Sequence, residues 1–381
     1  MKLILDQAAL VAELSVLQGI VDRKAPIEEL KNVRLEAKQD GRLVLTATDL
    51  EVGVVTQVTA DVEEPGEILV EAREFHETMR RMPAGTVELR HPDDRGERKL
   101  QVEAERRHFR LPATDTSNYP TLPRKEGEEP TAVISAGTLA EMIRGVIFTI
   151  TVDDPRYSLG GALWEIESGQ LTMVGTDGRR LALRRRPIQV VGDEIPKMIV
   201  PRKALAEIQK LAADHEGDAF LWVTPSHLFV QVGDRELETS LKNDTFPDYR
   251  KVIPENNDKV FDVDVKELRG ALEGVSHLSQ EQSRLVRLDL ERELLVVSSS
   301  NPRGGMGRIE LPVEYDGEIL SIGFNAQYLV DFLAVVGTEK VRVSLGQPMT
   351  QGLFQPVREG GAPEGVEDLY IVMPMALPDA R

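Results

Sequence analysis

The chain repeats itself, and an internal repeat constrains a fold more than any single motif because every copy must build the same unit. Gly41-Arg42-Leu43-Val44-Leu45-Thr46-Ala47-Thr48-Asp49 returns as Gly169-Gln170-Leu171-Thr172-Met173-Val174-Gly175-Thr176-Asp177. A more diverged third copy reads Arg292-Glu293-Leu294-Leu295-Val296-Val297-Ser298-Ser299-Ser300-Asn301, with Asn301 in the place of Asp177. The copies are spaced by about 128 and about 124 residues, close to the size of one ordinary domain. Each is a short β-run entering a polar turn.

Two further landmarks keep the same spacing. Extended stretches run into amphipathic helices whose apolar positions recur at three and four residues: Phe75, Met79 and Met82; Leu205, Ile208 and Leu211; Leu329, Phe332 and Val336. Proline-bearing segments close each unit at Tyr119-Pro120-Thr121-Leu122-Pro123, at Phe246-Pro247-Asp248-Tyr249-Arg250-Lys251-Val252-Ile253-Pro254 and at Tyr370-Ile371-Val372-Met373-Pro374. A helix also opens each unit, carried by Leu10, Leu14 and Leu17, by Leu139, Ile143 and Val146, and by Leu268, Leu272 and Val275. Six helices are therefore predicted, over 6–18, 71–82, 137–147, 201–211, 265–278 and 324–336. The expected fold is α+β, with three repeated domains at 1–128, 129–254 and 255–381, each holding two helices and two β-rich halves.

Composition closes several function classes. With no cysteine there is no disulfide, thiol nucleophile or thiolate metal site. His76, His91, His108, His215, His227 and His277 form no pair at metal-ligand spacing, so neither metal nor cofactor is expected. Neither a phosphate-binding G-x-x-x-x-G-K-[ST] loop nor a G-x-S-x-G nucleophile elbow occurs, and the Gly304-Gly305-Met306-Gly307 cluster reads as a turn. The absence of a long apolar run, and an acid as early as Asp6, point to a cytoplasmic protein without a membrane segment.

Charge is the awkward feature. A net −18 repels nucleic acid, although net charge says nothing of distribution. The predicted helices sum to about −1, slightly less acidic than their share by length. The densest positive run, Arg179-Arg180-Leu181-Ala182-Leu183-Arg184-Arg185-Arg186, reads by itself as a solvated strand face. The apolar end Tyr370-Ile371-Val372-Met373-Pro374-Met375-Ala376-Leu377 reads equally as a core edge strand or as a groove wall.

Thr176-Asp177-Gly178-Arg179-Arg180-Leu181-Ala182, Ile199-Val200-Pro201-Arg202-Lys203, Phe246-Pro247-Asp248-Tyr249-Arg250, Ile322-Gly323-Phe324-Asn325 and Val372-Met373-Pro374-Met375 together resemble the bacterial DNA polymerase III β subunits, the sliding-clamp family. The resemblance spans the whole chain. It implies a head-to-tail homodimeric ring of six domains, helices inside and sheets outside, that encircles duplex DNA and adds no catalytic step. Its implied partners are the replicative polymerase, the clamp loader and repair proteins, docking through short peptides. For that pocket it implies Leu159, Thr176, Gly178, Arg179, Arg180, Leu181, Pro247, Lys251, Val252, Met349, Gln351, Val372, Met373, Pro374 and Met375, with Ala376 where a basic residue is frequent. It implies DNA contacts at Lys24, Arg73, Tyr157 and Lys203, with Asp153 and Asp154 beside Tyr157, and a dimer interface at Phe109, Leu111, His277 and Leu278. Two other classes fit the residues without the resemblance: a hydrolase, which requires clustered carboxylates with shifted pKa in one cleft, and a protein-only scaffold, which requires no DNA-sized hole.

Overall fold

The computed structural model describes all residues except 23, 93–97, 126, 152–156, 192–194, 196, 280–282 and 378–381, with 157 and 158 described by backbone alone. Asp153 and Asp154 therefore lie outside the described residues. Six α-helices are present among them: α1 Gln7–Leu17, α2 Ala72–Arg80, α3 Ala136–Arg144, α4 Arg202–Ala213, α5 Val265–Ser276 and α6 Ala326–Leu333. Four of them are started by side-chain caps, since Asp6 accepts from Ala9 N, Glu71 from Glu74 N, Asp264 from Lys266 N and Glu267 N, and Asn325 from Gln327 N. Such a cap is worth about 1 kcal/mol because it satisfies amides that have no partner within the helix. The apolar stripes anticipated for all six helices are buried, Leu10, Leu14 and Leu17 of α1 at 0% exposure.

The chain forms two compact units, Met1–Ala140 with Val190–Gly192 and Ala206–Leu241, and Glu141–Gln189 with Asp193–Leu205 and Lys242–Arg381. The first holds a sheet of thirteen strands. Eight of these close on themselves, because Lys2–Asp6 pairs with both Thr86–Arg90 and Val52–Glu64, while α1 packs on α2 and on Val52–Glu64. The second unit holds an eight-stranded sheet in the order Met198–Pro201, Gly161–Glu167, Gln170–Thr176, Arg180–Pro187, Glu367–Val372, Gly352–Val357, Lys340–Leu345, Lys259–Asp264. It also holds a four-stranded sheet in the order Met306–Pro312, Leu294–Ser300, Leu285–Glu291, Leu320–Asn325.

The repeat survives in hydrogen bonding. Asp49 Oδ1 accepts from Glu51 N at 3.0 Å and Val52 N at 2.7 Å, and Asp177 Oδ1 accepts from Arg179 N at 2.9 Å and Arg180 N at 3.0 Å. Asn301 Oδ1 accepts from Arg303 N at 3.0 Å and Gly305 N at 3.1 Å, the same device in a slightly longer turn. The residue after the acid has positive φ in the first two copies, 76° at Leu50 and 82° at Gly178, and glycine takes that conformation without the Cβ clash that leucine accepts. Gly304–Gly307 belongs to the third of these turns and the strand that follows it.

Burial corrects the reading of the arginine run. Arg180, Arg184 and Arg186 are no more than 9% exposed, and each is matched by an acid. Arg184 Nη1 lies 2.9 Å from Asp368 Oδ2, and Arg186 reaches Asp368 Oδ1 at 2.6 Å and Glu141 Oε1 at 3.0 Å. Arg185, at the strand's wetter face, pairs with Glu367 at 2.5 Å. Burial by itself would raise the Asp368 carboxyl, but hydrogen bonds from Arg186 and Arg358 and the charge of Arg184 outweigh it and hold the group below the usual range. The expected solvated face is thus largely an internal ion network. An arginine needs several acceptors to be buried, and alternation placed every second one inward.

Candidate functional site, an apolar cleft beside Arg180

Strand alternation builds the cleft. Arg180–Pro187 pairs with Glu367–Val372 so that Leu181 stands opposite Ile371, and the ladder continues past the strand end through a bond from Met373 N to Arg179 O at 2.8 Å. Ile371 and Met373 share one face of that strand, whereas Tyr370 and Val372 point to the other. Tyr370 stacks on Phe332 with ring centroids 4.6 Å apart and gives its hydroxyl proton to Tyr328 O. On the cleft face, Leu163, Val174, Leu181, Leu183, Ile199, Tyr249, Leu369 and Ile371 form one buried cluster.

Above that cluster lies an open cleft of about 200 Å³, lined by Leu159, Thr176, Gly178, Arg179, Arg180, Leu181, Phe246, Pro247, Asp248, Tyr249, Val252, Ile371 and Met373. Its floor is held from beneath. Tyr249 donates its hydroxyl to Glu165 Oε2 at 2.8 Å, and Lys197 and Arg250 hold the same carboxylate at 2.6 and 2.9 Å. Burial, and then the Glu165 carboxylate, push the Tyr249 hydroxyl up to about 12, so it stays a donor. Arg180 is fixed as well, by Asp177 at 3.0 Å, Asp331 at 2.7 Å and Phe148 O at 2.7 Å, with its guanidinium 4.4 Å from the Tyr328 ring centroid. A rigid, mostly apolar trough with exposed Val252 (38%) and Met373 (43%) suits short apolar side chains.

No group of three or more His, Asp or Glu among the described residues could hold a metal. Among the described residues no helix is long and apolar enough to cross a membrane.

Family models for the N-terminal, central and C-terminal domains of the DNA polymerase III beta subunit match residues 1–123, 133–248 and 250–371. The chain belongs to that family. A relative from Pseudomonas aeruginosa named Beta sliding clamp is 34% identical over 375 residues, 98% of this chain and 99% of its own length. Its Escherichia coli namesake is 31% identical over 383 residues, 99% and 100% of the two chains. A crystal structure of the DNA polymerase III subunit beta from Pseudomonas aeruginosa superposes with a TM-score of 0.91 at 33% identity, covering 99% of this chain and 100% of that one. A DnaN sliding clamp from the same organism, bound to griselimycin, matches with the same TM-score, identity and coverage.

Of the pocket residues that the resemblance implied, Leu159, Thr176, Gly178, Arg179, Arg180, Leu181, Pro247, Val252 and Met373 line the cleft. Lys251 sits at the exposed rim paired with Asp248 at 3.3 Å, and Gln351 donates to Val252 O at 3.1 Å, bracing that wall from outside. The others fall elsewhere. Val372 is fully buried on the opposite strand face, and Met349 is 64% exposed away from the lining. Pro374 follows Met373 without lining the cleft, and Met375, bonded to Gly323 O at 2.8 Å, lines a second groove with Leu285, Val296, Met306, Ala376 and Leu377. Phe246, Asp248, Tyr249 and Ile371 line the cleft without having been anticipated, although period-two alternation from Met373 points to Ile371.

The remaining residues are dispersed. Lys24 is exposed beyond α1, Arg73 is exposed on α2, and Lys203 is half-buried on α4. Tyr157 opens the short 3₁₀ turn Tyr157–Gly160, with its side chain outside the described residues. Phe109 is 38% exposed on Arg107–Thr114, whereas Leu111 of the same strand is already buried within the chain at 4%. His277 is exposed at the C-cap of α5, and Leu278 follows, its Cδ1 3.0 Å from where a Cβ on Gly307 would lie.

Proposed function

We propose that the chain is a DNA sliding clamp, a head-to-tail dimeric ring that encircles duplex DNA without reading its sequence and keeps the replicative polymerase on its template. It has no catalytic residues of its own, and it docks short peptides of the polymerase, clamp loader and repair proteins in the cleft between Leu181 and Met373. It works in the cytoplasm. Three clamp domains at 1–128, 129–254 and 255–381 fit the spans of the family models.

The observation that carries the ring is a strand pairing that repeats and then stops. The strand after the first turn, Val52–Glu64, pairs with the last strand of the second repeat, Arg235–Ser240. The strand after the second turn, Arg180–Pro187, pairs with the last strand of the third, Glu367–Val372. By the same rule, the strand after the third turn, Met306–Pro312, seeks a partner, yet among the described residues it ends its sheet with only Leu294–Ser300 beside it. The last long strand of the first repeat, Arg107–Thr114, is paired along Lys99–Ala104 but, among the described residues, on its other side only through Ala113 and Thr114. Two open edges of the kind that pair elsewhere in the chain are complementary between copies, and a long open edge is otherwise a liability. Phe109 lies on one edge, and His277 and Leu278 flank the other.

Retention on circular DNA tests the reading. Clamps loaded on nicked circles are passed through gel filtration in high salt, before and after one restriction cut. They co-elute with circles and separate from linear DNA. Equal loss from both forms overturns encirclement.

A further inference from the structure

We propose that the edge of Lys259–Asp264 receives an extended, basic segment of another protein as an added strand. In the first repeat the opening strand, Lys2–Asp6, is paired on both sides, by Thr86–Arg90 and by the far end of Val52–Glu64, where Leu5 stands opposite Ala60. In the second, Ala132–Ser135 has Asp218–Val223 on one side and, on the other, Val190 and Val191 beyond the strand after the second turn, Val191 N bonding to Thr131 O at 2.9 Å. In the third, Lys259–Asp264 pairs with Lys340–Leu345 and, among the described residues, ends its sheet there. The stretch beyond Met306–Pro312 turns back to its own sheet instead, with Val313 N bonding to Glu293 O at 3.2 Å and Glu293 N to Tyr315 O at 2.8 Å.

The edge left over is open. Val265 N donates to Glu339 O at 2.8 Å, and the antiparallel pattern that follows from this bond turns the amides and carbonyls of Val260, Asp262 and Asp264 away from the neighbouring strand. Those residues line a cleft of about 760 Å³ together with Glu267, Glu293 and Glu314. Unpaired edge groups supply hydrogen bonds to any extended chain, so charge decides which chain fits. The lining carries five carboxylates, those of Asp262, Asp264, Glu267, Glu293 and Glu314, against Lys340 and Arg342. Arg342 is taken by Asp262 at 2.8 Å, and among the described residues Glu267, Glu293 and Glu314 make no ion pair. Such a rim repels a phosphate backbone and favours lysine or arginine in the incoming strand.

An acetylated hexapeptide that alternates lysine with valine is titrated by calorimetry into the full-length protein, beside the same peptide N-methylated at every residue, which keeps the charge and loses the amide donors. The parent binds the unmethylated peptide at least about ten-fold more tightly, the effect of a few backbone hydrogen bonds. In the complex, deuterium exchange slows at the amides of Val260, Asp262 and Asp264. Glu293→Gln and Glu314→Gln each weaken the peptide by about two- to five-fold, the range of an exposed ion pair. No binding, equal affinity for the two peptides, or binding that leaves exchange across 259–264 unchanged overturns the added strand. Slow exchange at those amides before any peptide is added shows the edge covered by a second copy of the chain, and overturns it too. Affinity that neither glutamine variant changes overturns the choice of a basic partner.

Discussion

Replacing Glu238 by glutamine probes a carboxyl placed inside the sheet that joins the first two repeats. Glu238 stands opposite Gly53 in the pairing of Arg235–Ser240 with Val52–Glu64 and is 6% exposed. A Cβ on Gly53 would meet Glu238 Oε1 at 2.6 Å and Leu122 of the proline connector at 2.8 Å. Neighbouring charges on this face are otherwise engaged: Lys125 pairs with Glu236 at 2.8 Å and lies 4.0 Å from the Trp222 ring centroid, and His227 bonds to Ser226 at 2.9 Å. Burial, with the Asp49 carboxylate adding to it, pushes Glu238 up from its ordinary 4.5 to about 7. Between those values the folded chain keeps a proton that the unfolded chain has released, so stability falls as pH rises through that window and stays lower above it. At about 1.36 kcal/mol per pH unit, the loss amounts to roughly 3 kcal/mol. Glutamine never ionises, so Glu238→Gln gains on the parent as pH rises, from near parity at pH 4.5 to about 2–3 kcal/mol at pH 8. The measurement is urea unfolding followed by Trp222 fluorescence in a Trp164→Phe background, which leaves one of the chain's two tryptophans. A difference between variant and parent that stays flat with pH refutes the reasoning.

Asp368→Asn leaves Arg184 buried without its counter-ion and Arg186 with Glu141 alone, and costs about 3–5 kcal/mol in denaturant unfolding. Because that carboxyl is held below its ordinary 3.8, its stabilisation is present above that value and lost as acid protonates it in the folded state, so the parent approaches the variant only at lower pH. Met373→Ala weakens a docked peptide by about 1–2 kcal/mol in calorimetry and leaves the dimer constant unchanged, because Met373 belongs to neither open-edge strand. Phe109→Asp, on the open edge of Arg107–Thr114, raises the dimer dissociation constant at least ten-fold in sedimentation, and an unchanged constant removes that edge from the interface. Gly53→Ala drives a methyl to within 2.6 Å of Glu238 and lowers the melting temperature, by the equivalent of about 1–3 kcal/mol.

The helices were legible because each buries a stripe at three- and four-residue spacing, and Leu10, Leu14 and Leu17 or Leu268, Leu272 and Val275 announce their buried face directly. The turns were legible because Asp49 and Asp177 do the same work in the same place. Pairing between repeats was not, since nothing local in Arg235–Ser240 says that its neighbour is Val52–Glu64, nearly two hundred residues earlier. That non-local pairing makes the compact units depart from the repeat boundaries. It also turned the apolar end of the chain into an interior strand, Glu367–Val372, rather than an edge, with the groove wall beginning only at Met373. At the cleft, the quoted motif Phe246-Pro247-Asp248-Tyr249 contained three lining residues that the family resemblance alone did not select.

The fate of the arginine run bears on how such an acidic chain can work on DNA. Four of the five arginines in its densest cationic segment are paired internally: Arg180 by Asp177 and Asp331, Arg184 and Arg186 by Asp368, and Arg185 by Glu367. Arg180, Arg184 and Arg186 are buried, so salt screens their pairs little, and for the same reason they release no counterions from a phosphate backbone. Lys24 and Arg73, the proposed DNA contacts, are exposed in a chain of net charge −18. A few phosphate contacts bind weakly at equilibrium. A clamp that held DNA by affinity would trade mobility for retention, since each phosphate contact must break before the ring can move. If the open edges of Arg107–Thr114 and Met306–Pro312 close on one another between copies, retention comes from covalently continuous chain and paired strands, and the few phosphate contacts are left weak enough to slide.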